Sequence, residues 1–365
     1  MDIIKLAIGL GTVIVGFLMF WSLPVPRASA RGATNLPFLS IIIPARNEES
    51  RIVPLLRSLQ EQQFTSFEIL VVDDDSSDKT AAVAESFDAK VLQNEGAGKS
   101  SACWYGAEQA KGSWLLFLDA DTKFESAEGL NHLLQFYQEK GARGITALQP
   151  FHTVEYWYEH LSVIFNIIVV TGMNLFTVWG SRFKTAGSFG PCILCNREDY
   201  FLSGGHKIIE GAIMDDLALG ETFLEQNLPV RCLGGKGIIS LRMYPEGIGS
   251  LIEGWCKSFA VGSKSTHPVV MFMVILWISG SFIAASALVS SLIGWNPAMI
   301  LLSGILYVLY VIQTGWFASR VGDFKKVIFL VYPIWFAFFI GIYLYSFIRV
   351  NVFRSVSWKG RKIKV

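Results

Sequence analysis

The chain has 365 residues, of which 52% are hydrophobic and 17% are charged, and its mean hydropathy is +0.43. This composition is too apolar for an ordinary soluble domain and predicts membrane segments. The net charge of +1 argues neither for nor against a polyanionic partner, and the odd number of five cysteines excludes a secreted disulfide framework.

The chain opens with an apolar stretch, roughly residues 3–23, that is long enough to span a bilayer, which needs about 20 residues. Ala28-Ser29-Ala30 resembles a signal-peptide cleavage site. The apolar run is long, however, and the motifs that follow it are typical of cytosolic domains. We therefore predict an uncleaved membrane anchor over residues 1–30.

Residues 37–250 are predicted to form an α/β domain. Short β-rich runs alternate with helical patterns, at Leu39–Pro44, 49–62, Phe67–Val72, 79–87, 99–110 and Trp114–Leu118. Strands that alternate with helices pair in parallel through right-handed crossovers, and such sheets bind ligands at the carboxyl ends of their strands. The polar residues that follow each strand are therefore candidates for the site.

The first two strands end in polar loops. Pro44-Ala45-Arg46-Asn47-Glu48-Glu49 leads into a helix, whose exposed N–H groups favour anionic ligands. The second strand ends in three successive aspartates, Asp73 to Asp75, which repel one another unless some meet donors such as a uracil N–H or ribose hydroxyls. We expect Asp74 to face a ligand, while Ser77 or Asp78 caps the next helix.

Two further loops carry a lysine and a pair of carboxylates. Gly96-Ala97-Gly98-Lys99-Ser100-Ser101 is only half of a phosphate-binding loop, because it lacks the G-x-x-x-x-G-K-[ST] spacing, although Lys99 can neutralise part of a diphosphate. Asp119-Ala120-Asp121 directly follows a buried strand. Two carboxylates there predict a site for Mg²⁺ or Mn²⁺, hard cations that bind oxygen ligands and bridge phosphates.

A fifth apolar stretch, at about residues 161–179, contains two asparagines and lies between two groups of candidate site residues. Because those groups must meet in one compartment, we exclude a single crossing here and predict an amphipathic or interfacial segment near residues 161–180. Asp215 and Asp216 then open an apolar helix. They either favour the helix dipole or supply a general base.

Three more apolar stretches lie near the C-terminus, at about residues 269–293, 298–319 and 327–348. We assign residues 251–348 to interfacial and transmembrane helices and residues 349–365 to a basic tail. Lysines and arginines flank the bundle where the positive-inside rule places cytoplasm. Four crossings with a cytoplasmic domain put the tail outside, where its charges are disfavoured. Either one C-terminal segment is re-entrant or the tail breaks the rule.

In order, these motifs resemble glycosyltransferase family 2, a family of inverting nucleotide-diphosphosugar transferases. The matching segments are IIIPARNEE (Ile41–Glu49), VVDDDSSDKT (Val72–Thr80), GKSSACWYGAEQAKG (Gly98–Gly112), FLDADT (Phe117–Thr122) and MDDLALG (Met214–Gly220). The resemblance covers about residues 38–250. It implies a GT-A-type α/β domain with a mainly parallel sheet, joined here to transmembrane helices, and a nucleotide-sugar donor rather than a nucleic-acid partner.

The resemblance also assigns roles on the donor side of the site. Pro44 and Glu48 match the donor-site loop, and Asp74 matches the aspartate that recognises uracil. Asp119 corresponds to the D-x-D member near the ribose. Asp121 corresponds to the ligand of Mg²⁺ or Mn²⁺ at the diphosphate.

On the acceptor side, Asp216 matches the catalytic base, and Asp215 stands where the family usually has glutamate. The segments Gly187–Gly190 and Gly204-Gly205 resemble those that line the two substrate sites. His206 is predicted to be structural rather than part of the acceptor site, and the Cys192-x-x-Cys195 pair is predicted to be structural rather than a metal site.

The stretch after the base departs from the processive polysaccharide synthases. These carry Q-x-x-R-W, which is missing from Ile252–Lys257, so single-sugar transfer is favoured. Within the family, RMYPEG, EGWCKSFAVGS and SWKGR resemble bacterial transferases that glucosylate a carotenoid carboxylic acid. This implies UDP-glucose as donor, a hydrophobic lipid acceptor and a multi-pass protein of the cell membrane. Polyprenyl phosphate, diacylglycerol, ceramide and hopanoid acceptors stay open, as does a non-catalytic binding role.

Overall fold

The computed structural model describes residues 2–27, 35–212, 214–262, 265–351, 355–358 and 361–364. The chain forms two compact units. The sheet unit comprises Pro24–Thr153 and Ala186–Met243, and the helical unit comprises Met1–Leu23, Val154–Thr185 and Tyr244–Val365. Ala28-Ser29-Ala30 and parts of the predicted basic tail (352–354, 359, 360 and 365) lie outside the described residues.

The α-helices have the following bounds: α1 (Asp2–Met19), α2 (Ile52–Gln60), α3 (Thr80–Glu85), α4 (Lys99–Gln109), α5 (Gly129–Glu139), α6 (Val163–Gly172), α7 (Arg197–Leu202), α8 (Asp215–Glu225), α9 (Ile248–Gly262), α10 (Pro268–Ile293), α11 (Pro297–Val321) and α12 (Tyr332–Asn351). The strands have the following bounds: β1 (Leu39–Ala45), β2 (Phe67–Asp73), β3 (Lys90–Gln93), β4 (Trp114–Leu118), β5 (Thr122–Phe124), β6 (Ile145–Gln149), β7 (Phe151–His152), β8 (Cys192–Asn196), β9 (Val230–Gly234), β10 (Ile239–Leu241), β11 (Ser355–Trp358) and β12 (Arg361–Lys364).

The sheet unit is built on a seven-stranded sheet of order β3-β2-β1-β4-β8-β6-β9. The pairs among β3, β2, β1 and β4 are parallel, as predicted, and β6 pairs with β9 in parallel. β8 is antiparallel to both of its neighbours. The sheet is therefore mixed and mostly parallel, which confirms the predicted fold class. A smaller sheet has the order β5-β10-β7.

The central strands are buried along almost their whole length, and all five residues of β4 are buried. A strand covered on both faces requires an unbroken apolar run rather than an alternating one, as in Trp114–Leu118. The register β1–β2 pairs Ala45 with Asp73, while the β1–β4 register ends at Ile42 and Phe117. The carboxyl ends of β1, β2 and β4 therefore share one edge, where the predicted site residues lie.

The helical unit contains three helical segments long and apolar enough to cross a membrane, judged by length and composition among the described residues: Pro268–Ile293, Pro297–Val321 and Lys326–Val350. The last begins as a 3₁₀ helix and continues as α12 from Tyr332. The apolar part of α1, Ile3–Met19, is shorter. In the predicted tail, β11 and β12 pair as an antiparallel hairpin.

The segment predicted as amphipathic differs from that expectation. The ten-residue α6 buries eight of its residues within the helical unit, and the aromatic ring of Phe165 stacks on that of Trp255, with centroids 4.8 Å apart. A helix that is buried on nearly all sides, with its polar side chains Asn166 and Thr171 bonded to main-chain carbonyls of its own turns, packs as a core helix rather than a surface helix. Ten residues are also too few to span a bilayer, in agreement with the exclusion of a crossing here.

A buried polar network joins α1 to α10 and α11. The Tyr310 hydroxyl donates to Thr12 Oγ1 at 2.7 Å. The Gln313 side chain accepts from Trp277 Nε1 at 2.9 Å and donates to the Val13 carbonyl at 2.6 Å. Buried polar groups in an apolar bundle favour one arrangement of the helices, since any other leaves donors unsatisfied. α1 is thus an integral part of the helical unit, and the uncleaved anchor stays a prediction.

Replacing Gln313 with leucine is expected to destabilise the helical unit by about 1–2 kcal/mol, because it leaves the buried Trp277 N–H without its acceptor. The measurement is reversible unfolding in mixed detergent micelles, followed by tryptophan fluorescence. Ile312→Leu, at a neighbouring position that is 61% exposed, is the control. Equal stability of the Gln313 variant and the wild type would contradict a structural role for the network.

Candidate active site

Two loops at the carboxyl edge of the sheet hold each other by reciprocal hydrogen bonds. The side-chain oxygen of Asn47 accepts from the N–H of Ser77 at 2.8 Å. The Glu49 N–H donates to Asp78 Oδ2 at 3.1 Å, and Glu49 Oε2 accepts from the Lys79 N–H at 2.9 Å. Asn47 adopts φ 53°, a left-handed conformation that asparagine tolerates better than most residues. The loop after β1 is therefore fixed to the loop after β2.

Asp78 also accepts from the N–H of Thr80, the first residue of α3, at 2.9 Å. The N-cap position is occupied by Lys79, whose side chain makes no capping hydrogen bond, so the prediction that Ser77 or Asp78 is the cap was wrong; Asp78 instead satisfies the first N–H of α3 from one position earlier. Asp74, the first residue after β2, is almost completely buried.

The Asp74 carboxylate organises the loop before α4. It accepts from Asn94 Nδ2 at 2.7 Å and from the N–H of Gly98 at 2.9 Å. Gly98 has φ 92°, a conformation that favours glycine, so the turn into α4 depends on this residue. Asn94 was not predicted as a site residue from the sequence. Its position directly after the short, half-exposed β3 is the feature that could have indicated it. The role of Asp74 in base recognition stays a prediction.

Lys99, the first residue of α4, connects the D-x-D to the acidic pair. Its Nζ lies 2.8 Å from Asp119 Oδ1, 3.4 Å from Asp216 Oδ1 and 3.8 Å from Asp215 Oδ2. Burial disfavours the charged ammonium, but the three carboxylates outweigh it and raise the pKa of Lys99 well above its ordinary value. Lys99 therefore stays cationic throughout the range in which proteins are active.

Asp216 lies in the first turn of α8, and the segment before β8 holds it in place. The Ser188 hydroxyl donates to the main-chain carbonyl of Asp216 at 2.7 Å. Gly190 packs against the Asp216 carboxylate so closely that a Cβ there would overlap it. Burial and the charge of Asp215 raise the pKa of Asp216 to about 7, against the opposing effect of Lys99. A carboxyl group with this pKa accepts and releases a proton near neutral pH.

The second D-x-D carboxylate meets an arginine that the sequence reasoning missed. Arg51 Nη2 donates to Asp121 Oδ2, and Arg51 Nε lies 3.4 Å from Glu48 Oε2. Glu48, assigned to the donor loop, is therefore connected to the D-x-D through Arg51. Pro44 lies in β1, opposite Val72 of β2 and two residues beyond the last β1–β4 pair.

Asp119 and Asp121 are suited to a divalent cation that binds few protein ligands. Both side chains are partly exposed, at 29% and 25%. Among the described residues, no three His, Cys, Asp or Glu side chains are grouped to enclose a metal. Mg²⁺ is commonly bound by one or two carboxylates together with water and substrate phosphates. The donor set therefore fits Mg²⁺ or Mn²⁺ carried with a diphosphate.

His206 is buried and packed against Tyr200, whose hydroxyl lies 2.9 Å from its Nδ1. Burial lowers the pKa of His206 to about 4, so the ring is neutral at physiological pH. This agrees with its prediction as structural. Cys192 and Cys195 are buried, unpaired residues of β8, and burial raises the pKa of both thiols.

Comparisons with known proteins identify similar sequences and a similar fold. The family model for glycosyl transferase family 2 matches residues 40–199. The chain is 36% identical over 337 residues to the 4,4'-diaponeurosporenoate glycosyltransferase of Staphylococcus aureus (strain USA300), covering 91% of this chain and 89% of that protein. Strain MRSA252 has a relative with the same identity and coverage.

Among solved structures, the chain is similar to the mannosyltransferase PcManGT from Pyrobaculum calidifontis, determined in complex with GDP-Man and Mn²⁺. The TM-score is 0.53 with 15% sequence identity, and the match covers 94% of this chain and 98% of the other. At this identity, the likeness supports the GT-A fold alone.

Proposed function

The chain is a glycosyltransferase that belongs to family 2, and from this premise we propose that it transfers one hexose, glucose from UDP-glucose, to a carotenoid carboxylic acid such as 4,4'-diaponeurosporenoate. The acceptor proposal is supported by the 36% identity to a transferase named for that acid. The single-sugar proposal is supported by the absence of Q-x-x-R-W after the acidic pair. The reaction belongs to staphyloxanthin-type carotenoid biosynthesis.

The observation that carries the catalytic proposal is the bridge made by Lys99. It lies within 4 Å of carboxylates from two distant motifs, Asp119 after β4 and Asp216 in α8. An inverting transferase needs a proton acceptor close to the anomeric carbon of a donor whose diphosphate binds at the D-x-D. Asp216 would be the proton acceptor and the D-x-D would hold the diphosphate, and both motifs belong to the sheet unit.

On the donor side, Asp74 would bind the uracil and Asp119 the ribose. Asp121 would hold Mg²⁺ or Mn²⁺, which when bound would offset the negative charge that develops on the leaving diphosphate. Lys99 stays protonated and can stabilise the same charge. Because its ammonium is fixed between carboxylates, little reorganisation is needed when that charge appears.

On the acceptor side, Asp216 would be the proton acceptor. A carboxylic acid is ionised near neutral pH, in which case Asp216 would orient the acceptor carboxylate rather than deprotonate it. The acid would carry a proton only where its closeness to Asp215 and Asp216 prevents all three carboxylates from being ionised. As the acceptor oxygen forms its bond to the anomeric carbon, the bond to the diphosphate breaks on the opposite face. A proton on the attacking oxygen, where there is one, would move to Asp216, and the diphosphate would leave with the bonding electrons.

We propose that the protein lies in the cell membrane as a multi-pass protein with the sheet unit in the cytoplasm. Three apolar helical segments long enough to cross a bilayer support this location. A nucleotide sugar is a cytoplasmic metabolite, and a carotenoid acid dissolves in the bilayer. An enzyme that joins them needs access to both.

The test is transfer by the full chain in lipid nanodiscs with labelled UDP-glucose and Mn²⁺ or Mg²⁺. The acceptors are a carotenoid acid, diacylglycerol, ceramide and undecaprenyl phosphate, with an EDTA-treated sample as control. Label on the carotenoid acid alone, lost with EDTA, is the expected result. Label on undecaprenyl phosphate would replace the acceptor, and no label on any acceptor would refute the proposal.

Replacing Asp215 with asparagine is expected to shift the acid limb of the pH profile to lower pH. Because the base must be deprotonated, transfer should fall as the pH drops through the Asp216 pKa of about 7. Burial and the Asp215 charge both raise that pKa, so removing the charge lowers it. The profile of kcat/KM for the free enzyme measures the shift. If the acid limb of the kcat/KM profile stays at the same pH in the Asp215 variant, a group other than Asp216 controls it.

A further inference from the structure

Arg51 binds one oxygen of Asp121, the carboxylate that is assigned to the metal. It lies at the start of α2, and its guanidinium donates to Asp121 Oδ2 while its Nε stays 3.4 Å from Glu48. The Arg51 N–H also donates to the Glu48 carbonyl at 3.0 Å, so main chain and side chain hold the two residues together. The Arg51 side chain is 21% exposed, which leaves it room to move.

A guanidinium and a divalent cation cannot share this carboxylate oxygen at close range. Both bind its lone pairs, and their positive charges repel each other. A cation that binds Asp121 through Oδ2 must therefore displace Arg51, and one that binds through Oδ1 lies close to the guanidinium charge, which opposes its binding. The displaced guanidinium loses one carboxylate partner while a cation is added beside it, so the oxygen atoms of an arriving anion would stabilise its new position.

We propose that Arg51 is a positioning residue that competes with the divalent cation for Asp121 and so couples metal binding to donor binding. This inference rests on the proposed function. A metal ion alone pays the full cost of separating Arg51 from Asp121. A metal ion that arrives with a nucleoside diphosphate supplies the phosphate oxygens to which the guanidinium transfers.

The test is Mn²⁺ binding by the full chain, followed by electron paramagnetic resonance with and without UDP. Without UDP, Arg51→Gln is expected to bind Mn²⁺ about tenfold more tightly than the wild type, since one charge-assisted hydrogen bond no longer has to be broken. The factor by which UDP tightens Mn²⁺ binding is expected to fall. Arg51→Lys keeps the positive charge but lacks the planar guanidinium that can donate two hydrogen bonds at once. Its Mn²⁺ affinity should therefore lie between those of the wild type and Arg51→Gln.

Arg57→Gln is the matched control, because Arg57 lies on the same helix and is exposed. Near-ultraviolet circular dichroism and UDP affinity verify that each variant is folded. If the wild type and Arg51→Gln bind Mn²⁺ equally tightly without UDP, and both still bind UDP, this inference is overturned while the proposed function stands. A wild type that binds neither UDP nor Mn²⁺ would overturn the proposed function and this inference with it.

Discussion

Replacing Asp216 with asparagine is expected to lower the rate of sugar transfer by about 10²–10⁴-fold, the usual contribution of a general base, while UDP affinity stays nearly unchanged. Asparagine has almost the same size but cannot accept the acceptor's proton. The main-chain carbonyl of residue 216 still accepts from Ser188, so the start of α8 should keep its position. Single-turnover transfer and UDP titration by calorimetry separate chemistry from donor binding.

The control for this experiment is Asp88→Asn, the same chemical change at an exposed turn with φ 59°, which asparagine tolerates. It should transfer sugar at the wild-type rate. Retained turnover in the Asp216 variant would exclude this residue as the base. A loss of UDP binding equal to the loss of rate would assign Asp216 to the donor site instead.

Replacing Gly190 with alanine is expected to reduce transfer by about 10²-fold, although no ionisable group is changed. The added Cβ would overlap the Asp216 carboxylate, which must rotate away from its position beside Lys99. Displacement of a catalytic group by about 1 Å commonly costs this much. Because only the end of a side chain has to move, the fold and the UDP affinity should be retained.

Gly249→Ala is the control, since a Cβ at that glycine has no atom within 4 Å. Comparison of kcat, UDP affinity and melting temperature distinguishes a displaced base from a damaged fold. Full activity of the Gly190 variant would show that the orientation of Asp216 described above is not the one used in transfer.

Local patterns in the sequence were sufficient to predict the central strands. β1 and β2 were predicted to within one residue and β4 at its observed bounds. The reason is physical: strands buried on both faces need continuous apolar runs, and these end where polar loops begin. β3 was not predicted because KVLQ is short and half-exposed. The antiparallel direction of β8 depends on tertiary pairing, which leaves no local pattern.

Site residues could be predicted from the sequence where the residue type and a position directly after a strand or at the start of a helix were enough to suggest a role. The D-x-D and the Asp215-Asp216 pair are of this kind, and their catalytic roles stay predictions. Arg51 could not be found in this way, since it lies 70 positions before Asp121 and only the folded sheet brings them together. The burial of α6 was missed for the same reason, because its partners are helices from the C-terminal third of the chain.

The network around α1 has a consequence for the order of events during synthesis. Thr12 meets its partner Tyr310 only after 298 further residues have been made, which takes about 15–60 s at about 5–20 residues per second. During this time the Thr12 hydroxyl is satisfied within its own helix, where it donates to the Gly9 carbonyl at 2.7 Å. The first helix therefore has its own hydroxyl satisfied before the late helices exist, while the Gln313 donor of the late helices has its acceptor only when Val13 is present. In a chain without its first helix, the missing partners of Tyr310 and Gln313 would be felt only after the last third of the chain has been made.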